Sequence, residues 1–437
     1  MPTTCSSFTI HIMDIAIRQQ IRELIQREVV VATGCTEPGA VALCVSKARE
    51  TLGSMPDSIE LLLSKNVFKN AMGVGIPGTG MVGLPIAVAI ALCAGDSSRM
   101  LEVLTVPSDK IEAAKQWLAN NGDIIKIGLK ENCEDKLYIE CICHKGNDSS
   151  TAIISKRHTN FVFIAHGDNV LLDGECAECG EGASEHGDPV LSARIVYDYA
   201  TTSPIEELNF INETVALNCV AATEGLKGYG LNTGRILMEN AEDDIVHTVI
   251  ARTVAASDAR MDGCTLPVYS NSGSGNQGIA CTLPIYEYGK AKGRSEEQIT
   301  RALILSHLTS IYIKRGIGRL SALCGIVNAS IGVTCGITYL HGGSFDQMCY
   351  AIKNMINTLA GMVCDGAKPS CALKMSTGLY SAFVSAELAL HDKVVDSCDG
   401  LSEKDVDYSI RNLGRLGHDG MDQTDDMVLD IMTHKQL

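Results

Sequence analysis

The feature that most constrains the fold is a change in the spacing of apolar residues near residue 200. Before that point, segments with helical spacing alternate with segments in which every second residue is apolar, such as 101–106 and 137–143. The second pattern is typical of a half-buried strand. Beyond it, helical spacing continues almost to the end, interrupted by glycine loops. We therefore predict an α+β fold, in which an N-terminal α/β domain with a mostly antiparallel sheet is followed by an all-α domain.

The length of the chain predicts two domains, because 437 residues are more than one hydrophobic core usually organises. We assign residues 1–200 to the α+β domain and residues 201–437 to the all-α domain. Helices within 12–50 are candidates to pack on the second domain. Residues 322–340 contain no charge and could be mistaken for a membrane span. Their polar residues and three glycines favour a buried helix instead.

Charge and cysteine content exclude several classes of protein. The chain has 36 Lys and Arg against 52 Asp and Glu, a formal charge of −16. An acidic surface repels phosphate, so we expect neither nucleic-acid nor membrane partners. Many of the 18 cysteines lie in apolar runs and no signal peptide is evident, which favours buried thiols in the reducing cytoplasm. We expect a cytoplasmic protein that acts on a small molecule. A homodimer is the oligomer that we expect if the chain associates.

Two glycine-rich strings, 73–78 and 273–278, match the GxGxxG pattern. Neither directly follows a strand in a βαβ unit, so a dinucleotide site is not predicted. These glycines instead let backbone approach a small ligand. A separate CxxC pair, Cys176 and Cys179, lies in an acidic loop. Since no second CxxC follows, we expect this pair to be dispensable.

Three other cysteines, Cys324, Cys364 and Cys371, could carry chemistry. Cys364 and Cys371 are separated by Gly366 and Pro369, which interrupt a helix and let a loop fold both thiols toward one point. Cys324 lies forty residues earlier, in the apolar segment. Spacing alone leaves two interpretations open, an iron–sulfur site or buried structural thiols, because 18 cysteines offer many triples.

Four segments resemble those of the L-cysteine desulfidases. They are Gly-Cys-Thr-Glu-Pro-Gly at 34–39, Lys-Asn-Val-Phe-Lys-Asn at 65–70, the glycine loop at 272–278, and the eight residues 364–371 that begin and end with cysteine. The desulfidases belong to the iron–sulfur L-serine dehydratase alpha-chain superfamily, and the resemblance extends from about residue 12 to about residue 420. Serine dehydratases have a longer spacing between the last two cluster ligands and a Ser/His-rich stretch in place of 34–37, which favours the desulfidase branch.

The resemblance implies a chemistry and a set of ligands. The implied cofactor is an oxygen-sensitive [4Fe-4S] cluster, with no pyridoxal phosphate, and the implied reaction cleaves L-cysteine to hydrogen sulfide, ammonia and pyruvate. Matched by position, the cluster ligands are Cys324, Cys364 and Cys371, and the catalytic base is Cys35. The pattern around Pro38 places Cys35 just before a helix N-terminus, where the backbone dipole favours a thiolate while Glu37 opposes it.

Polar residues in three loops are candidates for holding an amino acid, including those of the loop 65–80. Amides and ammonium groups supply donors for a carboxylate, and glycine backbone adds N–H groups. The alternative is that they are ordinary loop-capping residues, or, for the histidine, a hydrogen-bonded surface residue. The predicted substrate-binding residues are Asn66, Lys69, Asn70, Ser272, Asn276, Gln277, His158 and Thr159.

Three functions remain in competition at this point. The first is a lyase that eliminates sulfide from L-cysteine. The second is an iron–sulfur lyase of the L-serine dehydratase type, acting on serine or another small β-substituted amino acid. The third is a non-catalytic iron–sulfur or thiol redox sensor. A sensor needs the cluster alone, so the presence of the Cys35 loop and the polar loops favours an enzyme.

Overall fold

The computed structural model of the protein describes residues 13–174, 187–318 and 320–435. The strands are β1 (Val31–Ala32), β2 (Ser58–Leu63), β3 (Ile125–Leu129), β4 (Tyr138–Lys145), β5 (Asp148–Ser155), β6 (Phe161–His166), β7 (Asn169–Asp173) and β8 (Val268–Tyr269). The helices before residue 174 are α1 (Ile15–Glu28), α2 (Thr36–Leu52), α3 (Lys65–Ala71), α4 (Leu84–Ala94) and α5 (Ser108–Asn121). The later helices are α6 (Ala193–Thr202), α7 (Ile205–Leu208), α8 (Glu213–Gly225), α9 (Thr233–Glu239), α10 (Ile245–Met261), α11 (Gly275–Ala291), α12 (Glu296–Ile317), α13 (Gly325–Leu340), α14 (Phe345–Leu359), α15 (Cys371–Leu390), α16 (Val406–Arg415) and α17 (Asp422–Thr433).

A six-stranded sheet forms the centre of the N-terminal part, in the order β3-β2-β4-β5-β6-β7. Strands β2 and β3 run parallel, and the other neighbouring strands of this sheet run antiparallel. Alternate side chains such as Ile59, Leu61, Ile139 and Cys141 are fully buried in the core that α2 and α4 share. The predicted mostly antiparallel sheet and the α+β class are confirmed, and residues 137–143 belong to β4 as the spacing predicts.

The strand predicted at 101–106 is wrong. A short 3₁₀ helix occupies Ser97–Glu102, and a turn follows it. The adjacent side chains of Val103 and Leu104 are both buried, which a strand with one buried face does not allow. The segment lies instead against the start of α2, where the Leu101 carbonyl lies close to Gly39.

Helix α13 is the most buried element of the helical part. It packs among α11, α12, α14 and α15, and nearly every side chain from 326 to 340 is inaccessible to solvent. Gly332 permits the close approach of α12, because a Cβ at this position would lie 2.2 Å from the carbonyl oxygen of Ser306. The predicted buried helix is confirmed. No helix in the described part of the chain is long and apolar enough to span a bilayer.

The two hydrophobic cores do not divide at a single point in the chain. Helices α1 and α6 lie before or across residue 200, yet Leu24, Ile25 and Tyr199 belong to the core of the helical part. Helix α2 belongs to the other core, under the sheet. The domain boundary at residue 200 therefore stays a prediction.

A two-residue ladder connects the N-terminal segment to the helical part. β1 pairs antiparallel with β8, with Val31 opposite Tyr269. Next to this ladder, the Ser270 hydroxyl donates to the carbonyl oxygen of Val30 at 2.7 Å. The pairing places the loop that precedes α2 beside the loop that precedes α11.

A buried histidine holds the second of these loops. His307 is fully buried, and its Nδ1 accepts a hydrogen bond from the Asn271 side-chain amide at 3.1 Å. Its Nε2 lies 3.0 Å from the Thr282 hydroxyl, which itself donates to the carbonyl oxygen of Gly278. These partners assign the neutral ring with a proton on Nε2. Burial lowers the pKa of His307 to about 3.

This histidine predicts a loss of stability in mild acid. In the unfolded chain His307 binds a proton below about pH 6.5, whereas in the folded chain it stays neutral far lower, so the free energy of unfolding falls as the pH falls. Between pH 7 and pH 5 this one group should remove about 2 kcal/mol. Urea denaturation of the wild type and of His307→Gln at both pH values measures the difference. The exposed His391 provides the control, because His391→Gln should keep the wild-type pH dependence. Equal dependence in all three proteins would contradict the assignment.

Candidate functional site

A cavity of about 130 Å³ lies where the two loops meet the start of α13. A single water needs roughly 10–15 Å³, so the space admits a small organic molecule. The predicted site residues that line it are Cys35, Asn70, His158, Ser272, Asn276, Gln277, Cys324, Cys364 and Cys371. The fold therefore brings most of the predicted residues to one place, although they come from six separate segments.

Cys35 immediately precedes α2, as predicted, with an extended backbone conformation. Its thiol donates a hydrogen bond to Oε2 of Glu37 at 3.3 Å. Burial, reinforced by the negative charge of Glu37, raises the pKa of Cys35 well above its ordinary value, and the positive charge of Arg260 opposes this only in part. The helix dipole therefore does not produce a resting thiolate. Cys35 is a protonated thiol that already points its proton at a carboxylate.

Glu37 is that carboxylate, and it is 7% exposed. Its other oxygen accepts from the Asn70 side-chain amide at 3.0 Å, and the Thr36 hydroxyl donates to the same Oε2 that Cys35 contacts. Burial would raise the pKa of Glu37, but the charge of His158 and the hydrogen bond from Asn70 outweigh it and hold the pKa below its ordinary value. Cys35 and Glu37 thus form a proton donor and an ionised acceptor at the cavity wall.

The three predicted cluster cysteines line the same cavity. Cys324 directly precedes α13, and its backbone N–H donates to the Met362 carbonyl at 2.9 Å. The N–H of Cys364 returns a bond to the Ala322 carbonyl at 2.7 Å. Cys371 begins α15, after a loop in which Gly366 adopts a φ of +90°. This loop folds Cys364 and Cys371 toward one cavity, which is the geometry that the intervening glycine and proline predict.

The pKa shifts of these thiols suit metal ligands that lose their protons only when a metal binds. Burial raises the pKa of Cys324 to about 12, and the neighbouring Cys364 adds to the shift. Burial likewise raises the pKa of Cys371, and Lys374 opposes the shift in both residues. The Lys374 ammonium donates to the Val363 carbonyl at 2.8 Å. A cation is thus held close to the sulfur atoms, where thiolates would need one.

The three cysteines are the type of ligand that an iron–sulfur cluster takes. Among residues 13–174, 187–318 and 320–435, no three His, Cys, Asp or Glu side chains converge to hold one metal ion. An iron–sulfur cluster takes cysteine sulfur on different irons, so its ligands surround a volume rather than a point. Cys324, Cys364 and Cys371 all line the same cavity.

The glycine loop contributes polar side chains to the lining of the cavity. Ser274 caps α11 by accepting from the Gln277 N–H, and the Ser272 hydroxyl donates to the side-chain oxygen of Asn271 at 2.9 Å. Gln277 accepts from Asn328 at 2.7 Å, while Asn276 accepts from Arg260. These side chains are held in place by partners on other helices and still line the cavity. Their role in binding substrate stays a prediction.

The structure does not bring Asn66, Lys69 or Thr159 to this cavity. The segment predicted as a loop from residue 65 begins with helix α3, and Asn66 and Lys69 both donate to Asp425 of α17. That carboxylate occupies the donors that were expected to hold a substrate. Thr159 lines an adjoining cavity that shares Cys35 and His158 with the first.

The Lys69 contact predicts a large effect on stability. Lys69 and Asp425 are buried, with side-chain exposures of 2% and 8%, so removing one partner leaves a buried charge without compensation. Asp425→Ala should lower the free energy of unfolding by about 3–5 kcal/mol. The adjacent Asp426 pairs with Lys65, and both side chains are 55% exposed. Asp426→Ala is therefore the control and should cost less than about 1 kcal/mol by urea denaturation. Similar losses in both variants would show that the first pair is not special.

Two charged residues of the site were missed or misjudged from sequence. Arg260 lies near the end of α10 and lines the cavity, but the sequence does not distinguish it from Arg252 on the same helix. In the sequence Glu37 indicates only a charge that opposes a thiolate, whereas in the structure it is the hydrogen-bond partner of Cys35. The pair Cys176 and Cys179 lies outside the described residues, so its predicted dispensability stays a prediction.

The chain matches a known protein family over most of its length. The sequence model described as "Serine dehydratase alpha chain" matches residues 65–430, a range that includes the glycine loop and the three predicted cluster cysteines. The chain belongs to the serine dehydratase alpha-chain family. Serine dehydratase alpha chains are lyases of the iron–sulfur type, so the coarse predictions of a lyase and of an iron–sulfur protein agree with the family.

Full-length relatives of this family member occur in several bacteria. The chain is 54% identical over 428 residues to a UPF0597 protein of Phocaeicola vulgatus, covering 96% of this chain and 98% of the relative. A UPF0597 protein of Bacteroides fragilis is 52% identical, with 96% and 98% covered. One from Porphyromonas gingivalis is 47% identical, with 97% and 100% covered. These names state no activity, so they support the family and not a substrate.

Proposed function

We propose that the protein is an iron–sulfur lyase that eliminates sulfide from L-cysteine. With one water, the products are hydrogen sulfide, ammonia and pyruvate. The observation that carries the proposal is that the Cys35 thiol, hydrogen-bonded to Glu37, faces the same cavity as Cys324, Cys364 and Cys371. A proton-transfer group close to a bound Lewis acid would support elimination at an amino acid.

The three thiols would hold the cofactor. A [4Fe-4S] cluster bound by three cysteines leaves one iron open as a Lewis acid, which would withdraw charge from the substrate and weaken its carbon–sulfur bond. Every other part of the reaction falls to side chains of this chain. They must bind the amino acid, orient its α-hydrogen toward a base, and move that proton.

Cys35 and Glu37 together supply the base. Because the resting thiol is protonated, Glu37 must take its proton before the sulfur can remove the α-proton of the substrate. Arg260 favours the thiolate through its positive charge. The α-proton then passes to the Cys35 sulfur and sulfide leaves from the β-carbon. The resulting aminoacrylate tautomerises and hydrolyses to pyruvate and ammonia without further help from the protein.

Asn70 is placed to receive the substrate ammonium. Its amide nitrogen donates to Glu37, while its oxygen is buried at the cavity and accepts from no described residue. A buried carbonyl oxygen without a donor is costly, so a ligand N–H is its natural partner. The same contacts would hold L-serine, and the description of the matched family favours serine dehydration as the second candidate.

One experiment separates these functions. Protein purified and reconstituted without oxygen is incubated with L-cysteine or L-serine, and sulfide and pyruvate are measured. Sulfide and pyruvate in equal amounts from L-cysteine, at a kcat/KM well above that for pyruvate from L-serine, support the proposal. A preference for L-serine would replace it with the dehydratase. Turnover of neither amino acid would favour the redox sensor.

A further inference from the structure

Arg260 is a buried cation whose contacts are all to neutral groups. The residue is 6% exposed, and its Nη2 donates to the Gly34 carbonyl at 2.8 Å. Its Nη1 donates to the side-chain oxygen of Asn276 at 3.2 Å. In the described part of the chain it forms no ion pair with a carboxylate, and its Nε–H has no acceptor.

A second arginine of the same helix shows what a paired guanidinium looks like. Arg252 lies two turns earlier on α10 and binds Glu287 at 2.8 Å, with a side chain that is 26% exposed. Burying a charge is costly unless an opposite charge accompanies it. Arg260 is the more buried of the two and has the weaker compensation. The missing partner is an anion that enters the cavity.

The glycine loop is shaped around this guanidinium. A Cβ at Gly275 would lie 2.2 Å from Nε of Arg260, closer than any real contact. The loop that matches a dinucleotide pattern in sequence therefore makes room for an arginine instead of a pyrophosphate. The hydrogen bonds to Gly34 and Asn276 hold the guanidinium at the cavity, which Arg260 lines.

The position of Arg260 restricts where the anion binds. Its Nη2 donates to the carbonyl oxygen of Gly34, the residue directly before Cys35. A partner for Arg260 must therefore lie beside Cys35, where the proposed function requires the α-carbon of the substrate.

We infer that Arg260 binds the α-carboxylate of the amino-acid substrate. The inference rests on the proposed function and defines its substrate class as free α-amino acids, because a peptide-linked or decarboxylated analogue lacks the charge. A guanidinium and a carboxylate form two parallel hydrogen bonds, which fix the orientation of the substrate as well as its position. The α-hydrogen then faces Cys35, and the ammonium faces Asn70.

Two dead-end ligands test the inference. 3-Mercaptopropionate carries the thiol and the carboxylate of cysteine without its amine, and cysteamine carries the thiol and the amine without the carboxylate. Calorimetric titration of the reconstituted protein under anaerobic conditions gives the affinity of each. Arg260→Gln should weaken the binding of 3-mercaptopropionate by roughly 30- to 100-fold. The affinity for cysteamine should stay within about 3-fold of the wild-type value, since only the carboxylate loses a charge-assisted partner.

Two further variants complete the design. Arg252→Gln removes the paired arginine of the same helix and should leave both affinities unchanged. Arg260→Lys keeps the positive charge but lacks the planar guanidinium. It should weaken the binding of 3-mercaptopropionate by about 10-fold and leave the affinity for cysteamine unchanged. This variant decides the question if circular dichroism shows that Arg260→Gln does not fold.

The outcomes are distinct. Equal losses for both ligands, or no loss for 3-mercaptopropionate, would overturn the role of Arg260. If the wild type releases no sulfide from L-cysteine but the selective loss persists, the proposed function fails while the carboxylate site stands. A selective loss together with sulfide release supports both.

Discussion

Replacing Cys324, Cys364 or Cys371 with serine should abolish bound iron, brown colour and activity together. Each thiol lines the same cavity, and an alcohol is a poor ligand for iron where a thiolate is needed. Loss of a residue that only supports a metal ligand already costs ~10–100-fold, so loss of a direct ligand should reduce turnover further, to background. Iron, acid-labile sulfide and visible absorbance after anaerobic reconstitution measure the first effect, and sulfide release measures the second.

A buried cysteine away from the cavity provides the control for this prediction. Cys335 lies on α13, the helix that Cys324 directly precedes, and it is fully buried. Cys335→Ala should keep its iron, because its thiol does not reach the cavity. Full iron content in Cys371→Ser would remove that residue from the ligand set. Cys264 and Cys281, which flank the glycine loop, would then be the next candidates.

Cys35→Ala should separate catalysis from cluster assembly. The variant loses the thiol that contacts Glu37, while the three cluster thiols are unaffected, so iron content and fold should be retained. Loss of a proton-transfer group typically slows turnover by ~10²–10⁴-fold. Cys35→Ser should be almost as slow, because an alcohol is a far weaker acid than a thiol and forms its anion less readily. Added L-cysteine should still change the visible spectrum of the reconstituted variant without releasing sulfide.

A half-buried thiol outside the site is the matched control here. Cys93 lies near the end of α4, and burial raises its pKa as it does that of Cys35, though to a smaller extent. Cys93→Ala should keep wild-type turnover. Near-normal sulfide release from Cys35→Ala would refute its role as the base. Loss of the cluster in that variant would instead make Cys35 a fourth ligand.

The elements that could be predicted from sequence are those set by local spacing. Alternation at 137–143 indicates β4, and the uncharged run at 322–340 indicates the buried helix α13, because each pattern matches one buried surface. The segment 101–106 shows similar spacing but lies against α2, so a tertiary contact overrides its local preference. The same limit applies to α1, which packs with helices that follow it by more than 150 residues.

The candidate site shows the same division. The proximity of Cys364 and Cys371 could be predicted from sequence, because the glycine and proline that turn the loop lie between them. Asn66 and Lys69 could not be placed, because their partner Asp425 is more than 350 residues away in the chain. Arg260 could not be recognised either, since its importance lies in the absence of a carboxylate partner among the residues that the structure describes. Such an absence is a property of the folded molecule and not of its spacing.

The pairing of β1 with β8 has a consequence for the order in which the molecule assembles. Val31 and Tyr269 meet across more than 230 residues, and two residues of ladder are too short to form without support from both cores. Contacts of such long range form late in folding, because closing the intervening chain costs conformational entropy before the contact contributes stabilising free energy. A chain with both cores formed and this ladder open would have nearly native circular dichroism, but the two loops that line the cavity would not be side by side. Protection of the Ser270 amide from hydrogen exchange, which depends on its bond to Val30, therefore reports the completed enzyme where helix content does not.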